Sequence, residues 1–108
     1  MSTIFKKIID RAVPADIVYE DEHCLSFKDI QPSAPVHLLV IPKKEIATLD
    51  DASAEDQRLL GHLLLTIPKI AKQAGLEKGY KVQMNVHEGG GQEVFHLHFH
   101  VLGRPQPD

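Results

Sequence analysis

Nine residues near the C-terminus constrain this chain more than any others. From Val94 to Leu102 apolar and imidazole side chains alternate, a period of two that predicts a β-strand with two unlike faces. Phe95, Leu97, Phe99 and Val101 fall on one face, and His96, His98 and His100 on the other. Burying a row of imidazoles among apolar side chains is costly, so the apolar face is expected to meet the core and the histidines to form a working surface.

Such a strand needs partners. Ile17-Val18-Tyr19 and Cys24-Leu25-Ser26-Phe27, separated by an acidic turn, read as a hairpin. Val36 to Ile41, closed by Pro42, is apolar enough for a central strand, with His37 its odd member. Tyr80, Val82, Met84 and Val86 alternate with polar residues as a further strand, which enters the histidine strand through Gly89-Gly90-Gly91. Ile4, Phe5, Ile8 and Ile9 predict a short helix capped by Ser2 or Thr3. Ser53 and Asp56 resemble a capping box ahead of a long helix striped by Leu59, Leu60, Leu63, Leu64, Ile67, Ile70, Ala71 and Ala74, ending at Gly75 and kinked by Pro68. The expectation is an α+β fold, about five antiparallel strands with one long and one short helix, as a single domain over 1–108.

Composition removes several function classes. A net charge of -3 with no basic stripe speaks against nucleic acid. No apolar run reaches the roughly 18 residues that span a bilayer, and Met1 to Arg11 lacks a signal-peptide core, so no membrane role is expected. The single cysteine, Cys24, suits a reducing compartment, and cytoplasm is the simplest expectation.

Three histidines on one face admit two chemistries. On a regular strand neighbouring histidines stand about 6.6 Å apart and the outer pair about 13 Å, too far for one zinc ion with bonds of about 2.0–2.1 Å. Two of them with His37 could hold a metal. Neutral imidazole is otherwise a nucleophile or general acid and base, and phosphorus is a suitable target. His98 as nucleophile, with His96, His100 and His37 around it, meets backbone amides of the glycine loop, which can approach an anion closely. Asp29, in the stiff loop before Pro32 and Pro35, can accept from a vicinal diol, though a turn-forming role is equally open. Phe5, Ile8, Phe27 and Ile30 read equally as core. His23 and His62 fall in no pattern and read as surface residues, and His87 as a solvated loop position.

His96-Leu97-His98-Phe99-His100-Val101-Leu102 resembles the signature of the histidine-triad (HIT) superfamily. Cys24 to Ile30, Pro35 to Lys44, Asn85 and Gly90 to Val94 resemble its Hint branch in order and spacing. That resemblance implies a homodimer whose sheets join into one, no required cofactor, and hydrolysis of purine nucleoside phosphoramidates such as adenosine monophosphate linked to an amine or lysine. His98 then corresponds to the nucleophile that forms a nucleotidyl-histidine, His96 and His100 to its triad neighbours, and His37 to a fourth histidine. Asp29 matches the ribose ligand, and Phe5, Ile8, Phe27 and Ile30 match the base pocket. Asn85, Gly91, Gln92 and Glu93 match the phosphate and leaving-group contacts, and Phe99 is a further nucleotide-binding candidate. Some Hint-branch members carry serine where this chain has Glu93, and a hydroxyl donates to phosphoryl oxygen whereas a carboxylate does not. The chain runs to Asp108, so the longer C-terminal tail of some relatives is expected to contribute little. The superfamily also contains dinucleoside polyphosphate hydrolases and nucleotidyl transferases, which are alternatives; the alternative of another class is a nucleotide- or zinc-binding interaction protein without significant turnover.

Overall fold

A computed structural model describes residues 2–107. Five antiparallel strands form one sheet in the order β1-β2-β3-β5-β4, from β1 (Ile17–Glu20), β2 (Cys24–Lys28), β3 (Val36–Pro42), β4 (Lys81–Gln83) and β5 (Phe99–Gly103). The apolar run of β3 is central, paired with β2 on one side and β5 on the other.

Alternation along β3 divides the interior in two. Leu38 and Val40 join Cys24, Val101 and the residues Leu63, Ile67, Ile70 and Ala71 of helix α2 (Gln57–Gln73). Leu39 and Ile41 face the other way, with Leu25, Phe27 and the residues Phe5 and Ile8 of helix α1 (Ile4–Ile9). His37 has the parity of Leu39, so it opens on the α1 side. Leu39 is registered with His100, which places His100 on that same side, while Phe99 opposite Val40 packs towards α2.

Both helices begin as the sequence reads. Thr3 accepts from the Lys6 amide at 3.1 Å and caps α1. Ser53 and Asp56 form a reciprocal capping box around a 3-10 turn, Ala54–Asp56, that runs straight into α2. The helix continues through Pro68, which is exposed. It stops at Gly75, whose φ of 81° is left-handed; Gly75 N–H bonds the Lys72 carbonyl and Leu76 N–H the Ala71 carbonyl, the two bonds of a Schellman cap. Leu76 is buried behind it. Leu64, expected in the apolar stripe, is instead 47% exposed, because the sheet-facing arc is filled by Leu63, Thr66, Ile67 and Ile70.

Two strands are shorter than the alternation predicts. The ladder of β4 ends at Gln83, so Met84 and Val86 lie outside it. That of β5 begins only at Phe99. Residues 94–98 are irregular because their backbone is engaged elsewhere: Leu97 N–H bonds Ile46 O, and the Gln92 amide bonds Val94 O. Hence Phe95 is 45% exposed, not core, and His96 is buried instead of sharing an open face with His98 and His100.

His62 is not a free surface residue either. Asp21, in the β1–β2 turn, accepts from the backbone of His23 and Cys24 through one oxygen, and from Tyr19 Oη and His62 Nε2 through the other. Burial alone would raise this carboxyl's pKa, but those hydrogen bonds prevail and hold it well below the ordinary aspartate range. The turn is thereby fastened to α2, while His23 stays exposed.

Candidate active site

The α1 side of the sheet carries a cleft of about 610 Å³, within the range of small-ligand sites. Its walls include Phe5, Ile8, Phe27, Asp29, Ile30, His37, Asn85, Gly91, Glu93, His98 and His100. Most of the predicted site residues are thus gathered in one place. Phe5, Ile8 and Phe27 prove to be both wall and core, and Ile30, 90% exposed, stands at the rim.

Three predicted residues stand back from the cleft. His96, 2% exposed, donates from Nε2 to the Pro42 carbonyl at 2.8 Å and serves as a strut. Phe99 gives its side chain to the α2 side. Gln92, 4% exposed, spends its amide on Ala47 O (2.8 Å) and Val94 O (3.0 Å), and its carbonyl on the His87 amide (2.9 Å). It thereby shapes the glycine loop, which turns at Gly91 with φ 86°; a Cβ there would come within 3.3 Å of Asn85 Nδ2. Asn85 in turn donates to Gly90 O at 2.6 Å. His87, exposed as the sequence suggests, pairs with Asp50.

Backbone partners fix the proton on each ring in the cleft. A carbonyl only accepts, so His98 Nδ1, 2.7 Å from His96 O, carries the proton, and Nε2 keeps its lone pair. An amide only donates, so His37 Nδ1, 3.0 Å from Ser33 N, is unprotonated. Its proton is then on Nε2, which donates to His100 Nδ1 at 2.9 Å, and His100 retains Nε2–H as a donor for a ligand. Two adjacent rings with centroids 4.9 Å apart therefore offer opposite chemistry, a nucleophile and a donor.

Burial keeps these rings neutral. It lowers the pKa of His96 and of His98, and with the neighbouring His98 and His37 it pushes His100 down to about 4. Phe5 stands edge-on to His98 at 5.0 Å, so α1 also braces the His98 ring. The loop after β2 is equally braced: Asp29 N–H bonds His37 O and Asp29 Oδ1 accepts from Gln31 N–H, leaving Oδ2 3.4 Å from His37 Nε2.

Asp29, His37 and His100 also bring three donor atoms together in the manner of a metal site. The fit is poor. A metal on His37 Nε2 would require the neutral ring's proton on Nδ1, where it would confront the Ser33 N–H. Of the cleft's polar contacts, the Ser33 amide had no signal in the sequence, because any residue except proline carries one there.

A small antiparallel sheet, a bracing helix and a neutral histidine pair of opposite polarity make up a site of the histidine-triad type. The comparisons agree: the HIT domain model matches residues 10–106, and the chain belongs to that family. An uncharacterised HIT-like protein of Synechococcus elongatus is 61% identical over 101 residues, covering 94% of this chain and 89% of its own. The crystal structure of a HIT family hydrolase from Legionella pneumophila superposes with TM-score 0.93 at 48% identity, covering 97% and 95%. A histidine triad nucleotide-binding protein from Candida albicans gives 0.85 at 32% identity, covering 99% and 84%.

Proposed function

We propose that this chain is a Hint-branch hydrolase that cleaves purine nucleoside phosphoramidates without a metal, working as a homodimer. The observation that carries the reading is the proton arrangement of the cleft, with a free lone pair on His98 Nε2 beside a donor on His100 Nε2. His98 attacks the α-phosphorus, the P–N bond breaks as the amine nitrogen takes a proton from the enzyme, and water then cleaves the nucleotidyl-histidine, returning a proton to the enzyme as the monophosphate is released. His100, kept neutral, donates to the group on which negative charge grows. Asp29 Oδ2 receives the ribose hydroxyls, the apolar wall of Phe5, Ile8 and Phe27 takes the purine, and Asn85 and Gly91 approach the phosphate.

The leaving group is read from charge. Lys28 is the single lysine or arginine among the residues lining the cleft, and it sits 3.3 Å from Asp16. Glu93, exposed on the same wall, has no hydrogen-bond or ion-pair partner among the described residues. An unpaired carboxylate beside a phosphoryl site repels a polyphosphate leaving group and favours a cationic amine. This supports a phosphoramidate over a dinucleoside polyphosphate.

The test is turnover of fluorogenic adenosine phosphoramidates, one with a cationic and one with a neutral amine, with and without chelator. Wild type should turn over regardless of chelator and prefer the cationic amine; His98→Ala should lose roughly 10³-fold or more. Glu93→Gln should retain turnover and lose the preference. Nucleotide binding without wild-type turnover would replace the hydrolase with a binding protein, and an unchanged preference in Glu93→Gln would refute the amine assignment alone.

A further inference from the structure

On the opposite side of the sheet from the cleft, the β1–β2 turn, the start of β2 and the middle of α2 bring together a carboxylate, a thiol and an imidazole. The ligand atoms of Asp21, Cys24 and His62 all lie within 4.8 Å of one another. From this geometry we infer a second, non-catalytic site that binds a borderline-soft transition-metal ion such as Zn²⁺.

Each donor is held in place by something other than the metal. Asp21 is oriented by the backbone amides of His23 (2.8 Å) and Cys24 (2.9 Å) through Oδ1, which leaves Oδ2 turned to His62 Nε2 at 2.7 Å. Cys24 has 0% exposure, and its Sγ makes a long, 3.9 Å contact with Thr66 Oγ1 and also interacts with the Asp21 carboxylate. His62 is fixed by α2, where Thr66 Oγ1 closes onto the His62 carbonyl at 2.8 Å. The His23 ring lies 5.7 Å from that of His62 on the exposed side, close enough for a rotation to bring in a fourth ligand.

The arrangement suits four-coordinate zinc. Bonds of about 2.0–2.3 Å put tetrahedral ligand atoms roughly 3.3–3.7 Å apart, so a contraction of about 1 Å closes the site. Thiolate with imidazole selects zinc, cobalt or copper over magnesium and calcium. The ion displaces the thiol proton to solvent and takes the place of the hydrogen on His62 Nε2, whose ring then carries its proton on Nδ1. Among the described residues no hydrogen bond engages His62 Nδ1, in contrast to the amide that faces His37 Nδ1 in the cleft. The side chains of Asp21 and His62 are 24% and 39% exposed, which gives the ion a path to the buried sulfur.

Cobalt reports a thiolate directly. Reduced, metal-free protein titrated with Co²⁺ should show one sulfur-to-cobalt charge-transfer band and tetrahedral visible bands saturating at one ion per chain. Cys24→Ser should abolish the charge-transfer band. His62→Gln and Asp21→Asn, which keep the helix and the turn, should each weaken cobalt binding at least ~10-fold. His98→Ala and His100→Ala should leave the spectrum intact. Zn²⁺ should raise the melting temperature of wild type but not of His62→Gln, which keeps the test decisive should Cys24→Ser fold poorly. A spectrum without charge transfer, one that survives Cys24→Ser, or one lost in the cleft variants would overturn the site.

Discussion

At the scale of single residues, what distinguishes the cleft is that backbone groups fix the tautomers of His98 and His37, and His37 in turn fixes that of His100. The His96 carbonyl and the Ser33 amide set the two ends of the arrangement. That order was invisible in the sequence, where His98 and His100 look equivalent, since it depends on which backbone atom each ring meets. The burial that keeps these rings neutral has a thermodynamic consequence. In the unfolded chain each imidazole takes a proton near pH 6.5; folded, His96, His98 and His100 take theirs lower, His100 at about 4. The unfolded state therefore binds more protons between these values, and stability rises with pH there. The contribution is complete above pH 6.5 and drains away as pH falls towards 4. Urea midpoints should accordingly drop between pH 7 and pH 5, and less steeply in His100→Asn; a midpoint unchanged over that interval would contradict the neutral triad. The shift for Asp21 cannot mimic this, because its carboxyl titrates below the window.

Among the elements, those fixed by long apolar runs or by caps were legible: β2 and β3, the capping box, and the glycine stop of α2. The alternation at the C-terminus was legible only from Phe99 onwards. Period-two patterning signals a strand when the backbone has a ladder to join, whereas here Leu97 N–H bonds Ile46 O and Val94 O accepts from the Gln92 side chain instead. The Asp21 hub was missed for a related reason: Asp21 and His62 are 41 residues apart and share no periodicity. Gln92 shows how one side chain replaces a ladder, satisfying two carbonyls and an amide. Gln92→Met keeps the volume and strands those groups, each at about 1–3 kcal/mol when buried. A loss of at least about 2 kcal/mol in urea unfolding is expected, with faster amide exchange at Gly90 and Gly91 and weaker nucleotide binding. Unchanged exchange in the glycine loop would mean that Gln92 does not shape it.

For the whole molecule, the question is what the sheet does with its two edges. An edge strand presents unpaired backbone groups that proteins either blunt or use. The β1 edge is blunted: its register shifts between Ile17 and Tyr19, and Glu20 is engaged by Arg11 and by Lys43 at 2.8 Å. The β4 edge is short and carries Lys81, but it has neither a register shift nor an ion pair among the described residues. All three of its residues are exposed, Val82 at 43%; elsewhere on the surface Phe95 and Leu65 are 45% and 77% exposed. A second copy pairing β4 to β4 would continue the sheet through a two-fold axis, the self-complementary geometry of a cyclic dimer. A stable pairing needs roughly 1,200–2,000 Å² of buried surface, more than three residues of strand supply, so an apolar contact from α2 at Leu65 belongs to the same expectation. Light scattering should give twice the chain mass of 12.1 kDa. Val82→Lys combined with Leu65→Lys should yield a monomer, since like charges would face each other across the axis. Because the cleft residues His37, His98, His100 and Asp29 come from one chain, that monomer should still bind nucleotide. A wild type that is monomeric at micromolar concentration would leave the β4 edge without this use, whereas a dimer that survives both lysines would move the interface elsewhere on the surface.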